Sequence, residues 1–254
     1  MGTKIAYACV CHVGRIRKMN QDNYTCERMY RYNGKDTKVY PLTGEVSARK
    51  CSVFGVFDGL GGEQRGEESS FFAAKRASHT EWKGNLKTQL YDFCIAANEE
   101  ICDFAKKEQL QSTGTTVAML AFQGDRLYVC NLGDSRIFRI SGQSIEQISK
   151  DHVAPCAHGR KPPLSQCLGI PKEEFVIEPY IVKLRCKVGE RYLICSDGVT
   201  DMLSEPEIQA IAVEKSVKKA SRKMLKQALA KGGRDNTTLI LLEIKKDKPR
   251  FLFF

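Results

Sequence analysis

The fold this sequence predicts is an α+β four-layer α-β-β-α sandwich: two antiparallel β-sheets packed face to face, flanked by helix pairs. Three observations predict it. Strand-like runs outnumber helical ones, glycine-bearing tight turns join several of them directly, and the helical segments come as two pairs with strands between. Hairpin connections build antiparallel sheets, whereas alternating βαβ units would build a parallel one.

The elements follow in order. Apolar, strand-like runs occupy about 3–12, 22–28, 37–41 and 49–57. A helix rich in Ala, Glu and Phe is expected at about 64–78. A second, at 86–107, places Leu86, Leu90, Phe93, Ala97, Ile101 and Phe104 on one stripe. Strands at 115–122 and 126–131 flank Gln123-Gly124-Asp125, and strands at 136–140 and 144–148 flank Ser141-Gly142-Gln143. Each such triplet supplies the residues a tight hairpin needs. Strands at 175–185 and 191–195, helices at 205–213 and 216–231, and a closing strand at 237–245 complete the order.

At 254 residues, 42% hydrophobic and 28% charged, the chain is expected to form one domain over 1–246, followed by a tail at 247–254. The last four residues of the tail are apolar, a feature suited to docking on the body or on a partner. The net charge of +10 raises nucleic-acid binding, but the basic residues concentrate at Lys215 to Lys231. There Val217, Ala220, Met224, Leu225 and Ala228 recur at helical spacing, so the basic residues form a solvated face and nucleic acid is not expected. A basic surface also suits acidic phosphopeptides. No apolar run reaches the roughly 18 residues of a membrane span, and the start lacks a secretory pattern; a cytoplasmic monomer is expected. The eleven cysteines include no Cys-x-x-Cys pair and read as reduced, small hydrophobes. Zinc at Cys9, Cys11 and His12, or at Cys156 and His158, lacks the spacing of a structural site.

The chemistry lies in where the aspartates fall. Asp58 follows the apolar run 51–57, Asp134 follows 127–133, Asp197 follows 191–196, and Asp235 precedes 237–242. Asp and Gly favour turns for local reasons, so any one of these reads as a turn residue. Four such ends converging would repel one another without a cation, and hard oxygen ligands suit Mg²⁺ or Mn²⁺. Arg17, in Gly14-Arg15-Ile16-Arg17, adds a group that holds a phosphate dianion in a bidentate grip. Metals, an arginine and no nucleophilic triad point to hydrolysis by activated water.

In order, the chain carries Arg17-Lys18-Met19-Asn20-Gln21-Asp22, Val56-Phe57-Asp58-Gly59-Leu60-Gly61-Gly62, Ser112-Thr113-Gly114-Thr115-Thr116 and Asn131-Leu132-Gly133-Asp134-Ser135-Arg136. These are followed by Lys150-Asp151-His152, Cys195-Ser196-Asp197-Gly198-Val199-Thr200-Asp201 and Asp235-Asn236-Thr237-Thr238. Across residues 4–245 this set resembles the type-2C, metal-dependent Ser/Thr protein phosphatases, particularly compact bacterial members. The resemblance implies a catalytic domain that hydrolyses phosphoserine and phosphothreonine on proteins with two Mn²⁺ or Mg²⁺ ions. It further implies that Asp58, Asp197 and Asp235 hold one metal, and that Asp58 and the Gly59 carbonyl hold the second. Arg17 would bind the phosphate and Asp22 metal-bound water, while Asp134 with Asp197 or Asp201 would form a weaker third site. The implied partners are phosphorylated protein substrates of a Ser/Thr kinase. His152 is expected to order a loop.

Three departures stand out. Gln21 occupies the place of a metal-ligating Glu, so weaker binding of the second metal is expected there. Leu60 replaces the His of eukaryotic members, where bacterial ones commonly carry Met. The flap segment 153–163 is short, which predicts an open site. The alternative reading is a pseudophosphatase that binds phosphoproteins with weakened metal chemistry.

Overall fold

The apolar runs form strands, and their uniform apolarity has a structural reason: most are covered on both faces. The computed structural model describes residues 3–32, 41–48, 50–60, 65–156 and 162–247. The first strands are β1 (Thr3–His12), β2 (Asp22–Cys26), β3 (Met29–Tyr30), β4 (Leu42–Ser47) and β5 (Ser52–Leu60). Helices α1 (Gly66–His79) and α2 (Leu86–Lys107) follow. Then come β6 (Gly114–Thr115), β7 (Val117–Gln123), β8 (Arg126–Leu132), β9 (Arg136–Ser141), β10 (Ser144–Gln147), β11 (Tyr180–Arg185) and β12 (Arg191–Cys195). The chain closes with α3 (Asp197–Thr200), α4 (Glu205–Ala212), α5 (Val217–Ala230) and β13 (Thr237–Lys246).

One sheet has the order β10-β9-β12-β13-β1-β4 and the other β11-β8-β7-β5-β2-β3, with β6 paired to β5. Every strand pairing between these elements is antiparallel. Along β1 the two-residue period sorts the side chains: Ile5, Tyr7 and Cys9 enter the core between the sheets, while Ala6, Ala8 and Val10 pack under α4 and α5. β5 does the same, with Phe54 and Val56 between the sheets and Val53 and Phe57 under α1 and α2. Rings of Tyr7, Phe54, Phe122 and Tyr192 follow one another across the middle at 5.3, 6.2 and 5.8 Å. Pairs of this geometry contribute about 0.5–1.5 kcal/mol each beyond their burial.

The α2 stripe buries Leu90, Phe93, Ala97 and Ile101 as its spacing requires, and Asn85 caps its start by accepting from the Lys87 and Thr88 N–H groups. Fully burying each large side chain contributes about 1.5–3 kcal/mol. The Ser204–Glu207 capping box starts α4. Both hairpin triplets close two-residue turns, with Gly124 and Gly142 at φ 67° and 57°.

Two expectations shift, and a third falls almost wholly outside the described residues. The strand expected at 175–185 begins only at Tyr180, because Phe175 N–H bonds back to the Pro171 carbonyl and Pro179 has no N–H for a ladder. The strand expected at 37–41 lies, but for residue 41, outside the described residues, and β4 forms just beyond it. β5 continues through Asp58 and Gly59 to Leu60, so Asp58 stands within the strand's last turn of pairing and not after it. Gly61, Gly62, His158, part of the flap at 157–161 and the tail from 248 lie outside the described residues.

Candidate active site

β2 and β5 pair with Asp22 directly opposite Asp58, a cross-strand like-charge pair that is unfavourable on its own. The Asp58 backbone is fixed on every side. Its N–H donates to Thr116 Oγ1 at 3.0 Å, and its carbonyl accepts from the Thr116 N–H and the Thr115 hydroxyl, both at 2.9 Å. Thr116 Oγ1 in turn meets Ser135 Oγ at 2.7 Å. Gly59 follows because the chains crowd there: its N–H donates to the Gln21 carbonyl at 3.2 Å, and a Cβ would run into the carbonyl oxygens of Gly66 and Gln21.

The other aspartates arrive from neighbouring strand ends. Asp134 sits in the turn from β8 to β9, which His152 orders as expected. The Gly133 N–H donates to His152 Nδ1 at 3.2 Å, and the His152 N–H donates to the Gly133 carbonyl at 3.0 Å. Asp197 opens α3 directly after β12, and Asp235 stands just before β13. Asn236 ties the N-terminal loop to this end. Its Oδ1 accepts from the Gln21 N–H at 2.7 Å, and its Nδ2 donates to the carbonyls of Val13 and Met19 at 2.8 and 2.9 Å. Arg15 N–H donates to the Gly233 carbonyl at 2.7 Å, so the loop bearing Arg17 is clamped against residues 233–236.

The result is a cleft of about 310 Å³ lined by Arg17, Gln21, Asp58, Gly59, Asp134, Asp197 and Asp235, with Leu60, Pro162 and Leu164 on its apolar side. Arg17 Nη2 donates to Asp235 Oδ2 at 2.7 Å, which pins the guanidinium at the rim. Asp22 lies beneath, fully buried; its Oδ2 accepts from Ser196 Oγ at 2.8 Å. Asp201 is exposed at the end of α3 and does not line the cleft.

Electrostatically the site is overloaded with negative charge. Burial, then the charges of Asp22, Asp197, Asp134 and Asp235, hold the Asp58 carboxyl well above the usual carboxylate range. Burial likewise pushes Asp22 up to about 7, against the lowering effect of the Thr238 and Ser196 hydroxyls. Among the described residues Asp22 Oδ1 is buried with no hydrogen-bond partner, a costly state for a carboxylate oxygen. These hard-oxygen donors, one of them unsatisfied, fit a divalent cation. They line the cleft without closing on one point: among the described residues no three His, Cys, Asp or Glu side chains form a ready metal-holding group. Asp235 is drawn to Arg17 instead, and Asp22 to Ser196.

Sequence reasoning missed Glu67. It lies in the first turn of α1, where an acid reads as complementing the helix dipole, and it is half-buried beside the cleft. Its Oε2 accepts from Gln21 Nε2 at 3.2 Å. Asn236 and Ser196 were visible within motifs, but their clamping roles required the pairing of distant strands.

Fold and cleft together define a two-sheet, helix-flanked sandwich with an acidic, arginine-bearing site at the sheet ends. The chain belongs to the protein phosphatase 2C family, whose sequence profile matches residues 43–232. It is similar to serine/threonine protein phosphatase PstP of Mycobacterium tuberculosis, 28% identical over 207 residues that cover 76% of this chain and 40% of that protein. Serine/threonine phosphatase stp of Listeria innocua is 26% identical over 254 residues, 91% of this chain and 92% of that protein. The chain thus spans about 40% of the length of PstP and most of that of stp. The catalytic domain of PstP in complex with two manganese ions superposes with a TM-score of 0.77 at 25% identity, over 96% of this chain and all of that one. No helix among the described residues is long and apolar enough to cross a membrane.

Proposed function

We propose that this chain is a metal-dependent protein serine/threonine phosphatase, one catalytic domain over 1–246 with a tail at 247–254, acting as a cytoplasmic monomer on the products of a Ser/Thr kinase. The observation that carries the reading is the convergence of Asp58, Asp134, Asp197 and Asp235 with Arg17 on one cleft. Asp58, Asp197 and Asp235 would hold one Mn²⁺ or Mg²⁺, and Asp58 with the Gly59 carbonyl and Gln21 a second. Asp134 with Asp197 or Asp201 would form a weaker third; Asp201 is exposed. Ions held by these residues would lower the pKa of water and offset the charge of the phosphoryl group.

The chain's own residues do the rest. Arg17, anchored by Asp235, presents its fork to the phosphate dianion. Asp22, buried below, would meet metal-bound water; its Oδ1 has no hydrogen-bond partner among the described residues. Leu60, Pro162 and Leu164 make one wall apolar. The pseudophosphatase alternative rests on the missing charge at Gln21, and Glu67 places a carboxylate one hydrogen bond away.

The test is hydrolysis of a phosphothreonine peptide with Mn²⁺, with Mg²⁺ and with chelator, alongside Asp197→Ala. Turnover that requires metal and falls by at least about a hundredfold in the variant is expected, since the charge compensation is lost. Wild-type turnover no higher than in chelator would sink the enzyme reading.

A further inference from the structure

The catalytic cleft does not end at Leu60. That residue also lines a second hollow of about 410 Å³, and Cys102, Lys106 and Pro171 carry this hollow into a third of about 310 Å³ along α2. Each hollow thus shares lining residues with the next, a trough that starts beside the aspartates. Its far end is bordered by Phe175 and Val176, which are 45% and 64% exposed. These are the residues whose pattern predicts a strand and which stand instead in a fixed loop.

The loop is held firmly. Asn98 Oδ1 accepts from the N–H groups of Gly169 and Ile170 at 2.7 and 3.1 Å, and its Nδ2 donates to the Ile170 carbonyl at 2.8 Å. The Glu178 N–H donates to Gln166 Oε1 at 2.6 Å. A wall held this way presents its apolar residues without an ordering cost when something binds. Its charge runs opposite to that of the whole chain. Among the described residues, Glu99, Asp103, Glu173 and Glu174 line its two outer hollows against Lys106 and Lys172, in a protein of net charge +10.

We propose that this trough seats the stretch of substrate polypeptide adjoining the phosphoresidue, and selects a bulky apolar side chain accompanied by Lys or Arg. The inference rests on the phosphatase reading above. Continuity through Leu60 names the occupant, because a polypeptide whose phosphate reaches Arg17 must leave the cleft along one of its walls. The carboxylates name the basic companion and reverse the preference for acidic phosphopeptides that the net charge alone suggests.

The experiment compares kcat/KM with Mn²⁺ for two phosphothreonine peptides, one flanked by Leu and Arg and one by Ser and Glu, and for p-nitrophenyl phosphate. The wild type is expected to favour the Leu/Arg peptide. The double variant Phe175→Ser, Val176→Ser changes exposed residues only, and its fold is checked by thermal melting. It is expected to lose about tenfold on the Leu/Arg peptide, the scale of one half-buried aromatic contact. Its p-nitrophenyl phosphate turnover should be unchanged. Equal wild-type rates on the two peptides, or parallel losses on peptide and small substrate, would overturn the proposal. Absence of any wild-type p-nitrophenyl phosphate hydrolysis would overturn the phosphatase reading instead. The trough is then judged by fluorescence anisotropy of the labelled, unphosphorylated Leu/Arg peptide: weaker binding by the double variant upholds it and equal binding rejects it.

Discussion

Replacing Gln21 with Glu isolates what the Gln21–Glu67 hydrogen bond does. In the native site the Gln21 amide nitrogen donates to Glu67 Oε2 at 3.2 Å. A carboxylate outside a ligand polarises and orients it, so on the proposed reading Gln21 with Glu67 would together approximate the charged ligand that Gln21 alone lacks. In Gln21→Glu two carboxylates would face each other at this separation. Their repulsion at 3.2 Å is about 1 kcal/mol at the dielectric of water and about 5 kcal/mol at an effective value of about 20. Because Glu67 is half-buried, a cost between these limits is expected. At about 2–4 °C per kcal/mol for a chain of this size, the variant should melt several degrees lower in chelator. Mn²⁺ should remove that deficit and bind more tightly than to the wild type. Glu67→Gln should weaken Mn²⁺ binding by about 10–100-fold, the usual cost of losing an outer carboxylate. The double variant should return near wild-type affinity. The assays are isothermal titration of metal-free protein with Mn²⁺ and melting in chelator. An unchanged melting temperature and unchanged Mn²⁺ affinity in both single variants would refute the placement of this pair beside an ion.

Two further outcomes follow from the same cleft. Arg17→Lys keeps the charge beside Asp235 but loses the fork, so KM for a phosphopeptide should rise about tenfold while Mn²⁺ affinity stays level; an unchanged KM would remove Arg17 from the phosphate site. Asp22, with its carboxyl raised from 3.8 to about 7 by burial, gives metal-free protein a stability term present in full below the unfolded value and lost as pH rises through 7. Melting in chelator should therefore fall between pH 5 and pH 8, an effect that Mn²⁺ suppresses; a flat or rising profile would contradict it.

Much of this was legible in the chain. The long apolar runs became β1, β5, β7 and β13 because covered sheets demand apolar residues on both faces, and the α2 stripe became a buried helix face. The four aspartates were legible because each interrupts an apolar run beside a small residue, and the structure brings all four to one cleft. What escaped depended on distance in sequence. Glu67 looked like an ordinary first-turn acid, since nothing local shows that Gln21 crosses to it from 46 positions away. Phe175-Val176-Ile177 looked like strand because β-branched and aromatic residues favour one; only Ile177 is buried, and Pro179 cuts the ladder. Gly44 and the short span of β4 hid that edge strand.

The clamps at Asn236 and Gly233 and the Arg17–Asp235 pair join segments 218 positions apart in the last case, and β1 finds its central partner only in β13. Such long closures are paid late in folding. The α1–α2 half closes over short separations in sequence, whereas the clamps on the arginine loop form when residues 233–236 are in place. Arg17 and Asp235 therefore take their places through one closure, the pairing of β1 with β13.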